Sequence, residues 1–280
     1  MQNGLMIDYS SYGIQSDKAD CLTISIYPNV ISFCEQQLST HQVVHLCHYQ
    51  TDVIDSHLFA DHLISSVKHF QATKKKYSQI FINYFTPLFT LCPSSMFSQD
   101  NKRDLLEFNV GDIQQQIVLV DDVSTDIKLI YAIDEQLKST LNQLFPSHHL
   151  QHSVTGLVKL MLTADDFQKE QLLISIQKNN IEVVLKQNHQ LILANQYEYS
   201  TANDVLYYVL NIIEQYQLNP LTVNISVIGN IASNAEIVTL LKKYIKCIRL
   251  ATGNKKTDWS NLSGMPQHYN YLLINRVFCE

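Results

Sequence analysis

Three strings in this chain of 280 residues sit where phosphate chemistry is usually done. Ile26-Tyr27-Pro28-Asn29 and Ile176-Gln177-Lys178-Asn179 each link one apolar run to the next, and Gly229-Asn230 closes a third run. A turn that grips phosphate needs a carboxylate to position Mg²⁺ and small residues that let backbone amides approach the oxygens. Neither turn has the carboxylate or a glycine, and Pro28 removes an amide donor outright. Asn29, Asn179, Gly229 and Asn230 remain as the candidates for holding a nucleotide or small ligand in a cleft. A glycine between strand and helix is also an ordinary turn residue, so Gly229 carries both readings.

Other chemistries find less support. A two-metal nuclease needs acidic residues on its first strand, and Ile24-Ser25-Ile26 offers none. Asp121-Asp122 and Asp165-Asp166 each adjoin an apolar run, where a polar turn or helix cap is expected. Eleven histidines invite a metal reading. His41, His45 and His48 do not share one strand phase, His57, His62 and His69 make no i, i+4 pair, and His148, His149 and His152 have no Cys or carboxylate at ligand spacing. No Gly-x-Ser-x-Gly elbow is present, although a nucleophile and its base need only meet in space. The expectation is a chain without catalytic residues, metal or cofactor. Fifteen tyrosines include the adjacent pair Tyr207-Tyr208, about 100° apart on a helix, so that one packs inward and the other points elsewhere.

The elements that must position these residues occur twice. A shift of 150 positions lays Leu22–Phe33 on Leu172–Val183 with six identities in twelve. In the first copy Cys21–Tyr27, Val30–Glu35 and Gln42–Tyr49 read as an antiparallel meander. A helix follows, capped by Asp55 or Ser56 and buried through Phe59, Leu63, Val67 and Phe70. Ile80–Tyr84 reads as the next strand. In the second copy the strands are Gln171–Gln177, Asn180–Lys186 and Gln190–Tyr197. Thr201 and Asp204 form a capping box for a helix with a stripe of Val205, Val209, Ile212, Ile213 and Tyr216, ended by Asn219-Pro220. Thr222–Ile228 is the following strand. A last helix is capped near Ser233 and is apolar through Ile237, Leu240, Leu241, Tyr244 and Ile248, before Arg249-Leu250-Ala251 runs extended. Between the copies, Ile117–Val120, Ile127–Tyr131 and Asp134–Leu144 add two strands and a helix. This order predicts an α/β protein of two ribonuclease H-like lobes, residues 1–147 and 148–280, each with a mixed five-stranded sheet flanked by helices, as in the actin-like ATPase fold.

Composition limits the partners. Apolar residues make up 46% and charged residues 16%, with few Gly (7) and Pro (6), so the chain should be compact. A net charge of −6 without a dense basic stripe argues against direct nucleic-acid contact. Lys74-Lys75-Lys76 reads as a solvated loop. No window reaches about 18 uncharged apolar residues and no secretory signal opens the chain, so a cytoplasmic location is expected. Six cysteines without a Cys-x-x-Cys pair read as reduced, mostly buried thiols.

Several strings resemble DUF3822, a family of uncharacterised bacterial proteins. They are Phe89-Thr90-Leu91-Cys92-Pro93 with Met96-Phe97, Tyr131-Ala132-Ile133, His152 after Phe145-Pro146, Asn203–Leu210, Gly229, Lys243-Tyr244-Ile245 and Cys279-Glu280. The resemblance spans nearly the whole chain and implies an actin-like fold without an established activity. The leading expectation is a scaffold that binds a protein partner or itself through its surface. The alternatives are an enzyme that binds a nucleotide or small molecule in the cleft and, more remotely, an accessory factor in rRNA modification.

Overall fold

The computed structural model describes residues 9–13, 18–50, 56–163, 172–262 and 264–279. The Asp55 cap, the Asp165-Asp166 pair and the chain ends Met1–Gly4 and Glu280 lie outside them. The chain divides into two compact units. One runs to Gly156 and includes Lys255–Gly264 and the residues from Leu273 onward, and the other comprises Leu157–Asn254 and Met265–Leu272.

The first unit is built on a six-stranded sheet, one strand more than expected. The chain enters it by β1 (Tyr9–Gly13), β2 (Cys21–Tyr27), β3 (Val30–Gln37) and β4 (Gln42–Gln50). Helix α1 (Ser56–Phe70) leads to β5 (Gln79–Tyr84), and the spatial order is β1-β4-β3-β2-β5-β9, with β9 at His149–His152. Alternation drives the pleat: Leu22, Ile24 and Ile26 face a core shared with Phe33, Leu63, Val67 and Phe70. That helix face is the one its apolar spacing predicted.

Between β5 and β9 the chain forms β6 (Phe89–Pro93), α2 (Lys102–Val110), β7 (Ile117–Asp122), β8 (Ile127–Ile133) and α3 (Glu135–Leu144). The expected strand pair is thus a three-stranded antiparallel sheet, β6-β8-β7, with its own small core around Leu106, Val118 and Ile130. Helix α3 starts at Asp134, whose carboxylate accepts the amide of Leu137 at 2.9 Å. Helix α4 (Ser153–Thr163) follows β9 directly.

The second unit carries a five-stranded sheet in the order β12-β11-β10-β13-β14: β10 (Leu172–Ile176), β11 (Asn180–Gln187), β12 (Gln190–Glu198), β13 (Ile225–Gly229) and β14 (Ile248–Leu250). The two sheets share pairing down to their irregularities. Ile26 faces Ile31 as Ile176 faces Ile181, and a bulge falls at Glu35/Gln36 in one sheet and at Leu185/Lys186 in the other.

Helix α5 (Ala202–Gln215) begins with the expected capping box: the Asp204 amide donates to Thr201 Oγ1 at 3.3 Å and the Thr201 amide donates to Asp204 Oδ2 at 2.8 Å. Thr201→Ala should lower stability by about 1 kcal/mol in urea denaturation, and a loss near zero would show the box idle. The helix ends at Gln215 with Tyr216 as its C-cap, and it is closed by Gln217 rather than Asn219: Gln217 takes φ 52° and the Leu218 amide returns to Ile213 O at 2.8 Å, a left-handed terminus. Helix α6 (Glu236–Tyr244) has Ala235 rather than Ser233 at its N-cap and makes no side-chain cap bond. Its buried contacts are Val238 and Leu241, whereas Tyr244 is exposed and Ile248 already belongs to β14. A short α7 (Tyr271–Asn275) and a 3-10 turn at Arg276–Phe278 follow.

Candidate functional site

In open α/β sheets ligands gather at the carboxyl ends of parallel strands. In the second unit that end is formed by Ile176 on β10 and Gly229 on β13, which are partners in register. Gly229 has φ +109°, and a Cβ on it would lie 2.0 Å from Ile176 O, so only glycine fits. Its amide, the group a bound phosphate or sugar would call on, donates to His268 O at 2.9 Å. His268 is buried, and its Nε2 donates to Ile231 O at 2.8 Å, so one residue clamps both ends of Gly229–Ile231. The neighbouring Gln267 accepts the Gly253 amide through Oε1 at 2.8 Å. The backbone at this strand end is therefore bonded to the chain's own segment 265–272.

Of the other candidates, Asn179 and Asn230 belong to the same unit as Gly229 and Asn29 to the other. Asn179 and Lys178 are exposed at the tip of the β10–β11 turn, closed by Gln177 N–H to Asn180 O (2.9 Å) and Tyr199 N–H to Asn179 O (2.9 Å). Asn230 is exposed. Asn29 sits half-buried in the β2–β3 turn of the first unit, beside exposed Pro28. At the position matching Gly229, where Ile26 pairs with β5, the first sheet has Tyr84.

The structure also gathers polar groups that sequence reasoning missed. Across the first sheet His48, Ser32, Ser25, Asn83 and Gln151 occupy one continuous row of register partners. His48 Nδ1 lies 2.7 Å from Ser32 Oγ, Asn83 Nδ2 donates to Ser25 Oγ at 3.3 Å, and Gln151 Nε2 donates to Asn83 Oδ1 at 3.1 Å. A Ser–His pair at this distance is the geometry of an activated nucleophile. Both residues are buried, however, and burial lowers the His48 pKa to about 4, which makes the ring a weak base at neutral pH. The only sequence signal for the pair was register: antiparallel β3 and β4 place residue 32 opposite residue 48.

Glu35 is a second missed group. Its fully buried carboxylate accepts Lys75 Nζ and Tyr77 OH, each at 2.7 Å, with His45 Nδ1 3.6 Å away. Burial pushes the carboxyl up, and the bonds from His45, Lys75 and Tyr77 outweigh it, so its pKa lies below the ordinary value. The middle lysine of Lys74-Lys75-Lys76 is thus an ion-pair partner of the core rather than a solvated loop residue. The remaining acidic pair is structural as well. Asp121 Oδ2 accepts the His152 amide at 2.7 Å and Thr155 Oγ1 at 2.8 Å, capping α4, while Asp122 pairs with Lys128. His152 is buried against Phe89 and Tyr131, donates through Nε2 to Thr86 O at 2.9 Å and accepts the Val154 amide at Nδ1. Burial lowers its pKa to about 4, the Thr86 bond opposing. No group of three metal-ligating side chains occurs among the described residues. All six cysteines are free thiols, and all but Cys247 are buried.

Comparison with known proteins agrees with this architecture. A Bacteroides thetaiotaomicron protein with an actin-like ATPase fold and unknown function aligns with a TM-score of 0.75 at 20% identity, over 87% of this chain and 94% of that one. The PilM–PilN type IV pilus biogenesis complex gives 0.58 at 10% identity over 92% and 98%. The cytoplasmic domain of EpsL, an inner membrane component of the Vibrio cholerae type II secretion system, gives 0.50 at 10% over 93% and 95%. The fold is the actin-like one. No curated protein matches the chain, and no helix among the described residues is long and apolar enough to cross a membrane. The model of the family described as protein of unknown function (DUF3822) matches residues 10–248, and with that coverage the chain belongs to the DUF3822 family.

Proposed function

We propose that this protein is a non-catalytic, protein-binding member of the actin-like fold, descended from a duplicated module whose nucleotide-gripping turns no longer serve ATP. The observation that carries the reading is Gly229, whose amide is bonded to His268 O and whose α-carbon lies against the Ile176 carbonyl. A ligand seeking that amide must displace a bond already made, while Pro28-Asn29 and Lys178-Asn179 supply no carboxylate for Mg²⁺. The pairing shared by the two sheets supports the duplication. Two proteins of the same fold, PilM and the EpsL cytoplasmic domain, come from a pilus biogenesis complex and a secretion system, which supports a role through partners rather than turnover. A location in the cytoplasm fits this reading.

Calorimetric titration of the full chain with ATP in excess Mg²⁺ is expected to give no saturable heat. A dissociation constant in the micromolar range, about −8 kcal/mol of binding, would favour a nucleotide-binding enzyme instead.

A further inference from the structure

The end of α3 holds a histidine against a lysine. The Phe145 amide closes the last turn of the helix on Leu141 O at 2.9 Å, and the Phe145 ring is buried, so the Phe145 carbonyl is fixed in place. Pro146 and Ser147 follow, and His149 opens β9 opposite Phe81. His148 is thus tethered on both sides, and its Nδ1 donates to Phe145 O at 2.6 Å. A carbonyl can only accept, so the ring proton sits on Nδ1 and the Nε2 lone pair faces outward. Nε2 lies 3.3 Å from Lys138 Nζ on α3. The next ring, His149, packs against Phe81 at 5.5 Å.

A nucleophile, a base within hydrogen-bond reach and a third group that orients the base are the parts of an activated nucleophile. Ser32 and His48 have the first two, but both are buried away from any reagent. Lys138 and His148 are half-buried, open to a small molecule yet partly stripped of water. That desolvation disfavours the ammonium and lowers the Lys138 pKa. Burial also lowers the His148 pKa, the bond to Phe145 opposes it, and the charges of Lys138 and His149 add to the lowering. A carboxylate partner would hold the lysine in its charged form, and among the described residues none pairs with it. Asp134, one turn earlier on the helix, gives its carboxylate to the Leu137 amide.

We propose that Lys138 is a site of acylation by small acyl thioesters, with His148 as its general base and Phe145 O as the group that orients the base. The Nζ lone pair attacks the thioester carbonyl carbon. An N–C bond forms, the C–S bond breaks, and its electron pair leaves on sulfur. The proton shed by the nitrogen passes to His148 Nε2 and from there to the departing thiolate, which restores the neutral ring. Lys138 ends as an uncharged amide that cannot react again, so each chain takes up one acyl group. This is modification without turnover, and it stands apart from the protein-binding reading.

The test treats the full chain, near neutral pH, with S-acetyl-N-acetylcysteamine, a small uncharged acetyl thioester, and follows each lysine by peptide mass spectrometry. Lys138 should be acetylated about tenfold faster than the exposed Lys242 and Lys243 of α6. His148→Gln removes the base and should bring Lys138 down to the rate of those two, which keep theirs. In denaturing guanidinium the wild type should lose the preference, because the fold alone brings residues 138 and 148 together, and this arm does not depend on the variant. Reaction of Lys138 no faster than that of Lys242 overturns the proposal, as does a preference that survives His148→Gln or denaturation.

Discussion

Gly229→Ala should be the most damaging single methyl in the protein. The added carbon would sit 2.0 Å from Ile176 O, and the neighbouring contacts at 2.9 Å are also backbone, so no side chain can rotate away to make room. Relief requires β10 and β13 to separate where Ile176 and Gly229 pair. The alanine must also hold φ near +109°. We expect a loss above roughly 4 kcal/mol, among the largest seen for point changes. Gly111→Ala is the internal control, because Gly111 also has positive φ, +83°, but nothing lies within 4 Å of its missing Cβ. That variant bears the backbone strain alone, about 1–3 kcal/mol for a non-glycine residue at φ +83°, ψ −170°. Hydrogen exchange across β10 and β13, with urea denaturation of both variants, separates the two effects. Equal losses would show that the strand contact at Gly229 is looser than the geometry requires.

Acid should weaken the first unit well above the pH at which carboxylates protonate. His48 and His152 are both buried, and burial lowers each pKa from 6.5 to about 4. The sign follows from proton binding. Below pH 6.5 the unfolded chain takes up protons that the folded protein refuses, so stability falls as pH drops and continues to fall until the folded values near 4 are reached. Each ring contributes about 3 kcal/mol across that window. Glu35 acts in a different window. Its folded pKa is below the ordinary 4.5, so the stability it contributes is complete above the unfolded value and is lost only as pH falls through the folded one. Urea denaturation at intervals from pH 7.5 to 4.5 should show an uptake of about two protons on unfolding near pH 5 from these rings. Imidazole resonances of His48 or His152 titrating near 6.5 would contradict it.

Periodicity made the duplicated parts of the fold legible. β2 ends where its alternation predicts, and α5 starts at its capping box, because in both the local preference agrees with the tertiary demand. The elements that escaped are those whose signal is weak or misplaced. Strand β1, Tyr9–Gly13, is short and polar and is a strand because β4 offers it an edge. β6 ends in Pro93 and α2 exposes Phe108 at 89%, so neither shows a clean apolar stripe. On α6, Tyr244 lies where the helical period expects burial, but it falls in the last turn and points to solvent.

The site was half legible for a related reason. The missing carboxylate and glycine in both turns can be read from the residues alone. That the Gly229 amide is occupied cannot, since its partner His268 lies 39 positions further along, in a segment without periodicity. The Ser32–His48 and Glu35–Lys75 pairs were equally hidden, because contact across strands depends on register and bulges rather than on spacing along the chain.

Amide chemical shifts of the ¹⁵N-labelled full chain, followed as Mg²⁺–ATP is added, address the claim that these turns have lost their nucleotide. The resonances of Asn29, Asn179, Gly229 and Asn230 are expected to stay in place throughout the titration, up to a large molar excess of nucleotide. Shifts concentrated on those residues, with the Gly229 amide leaving His268, would contradict it.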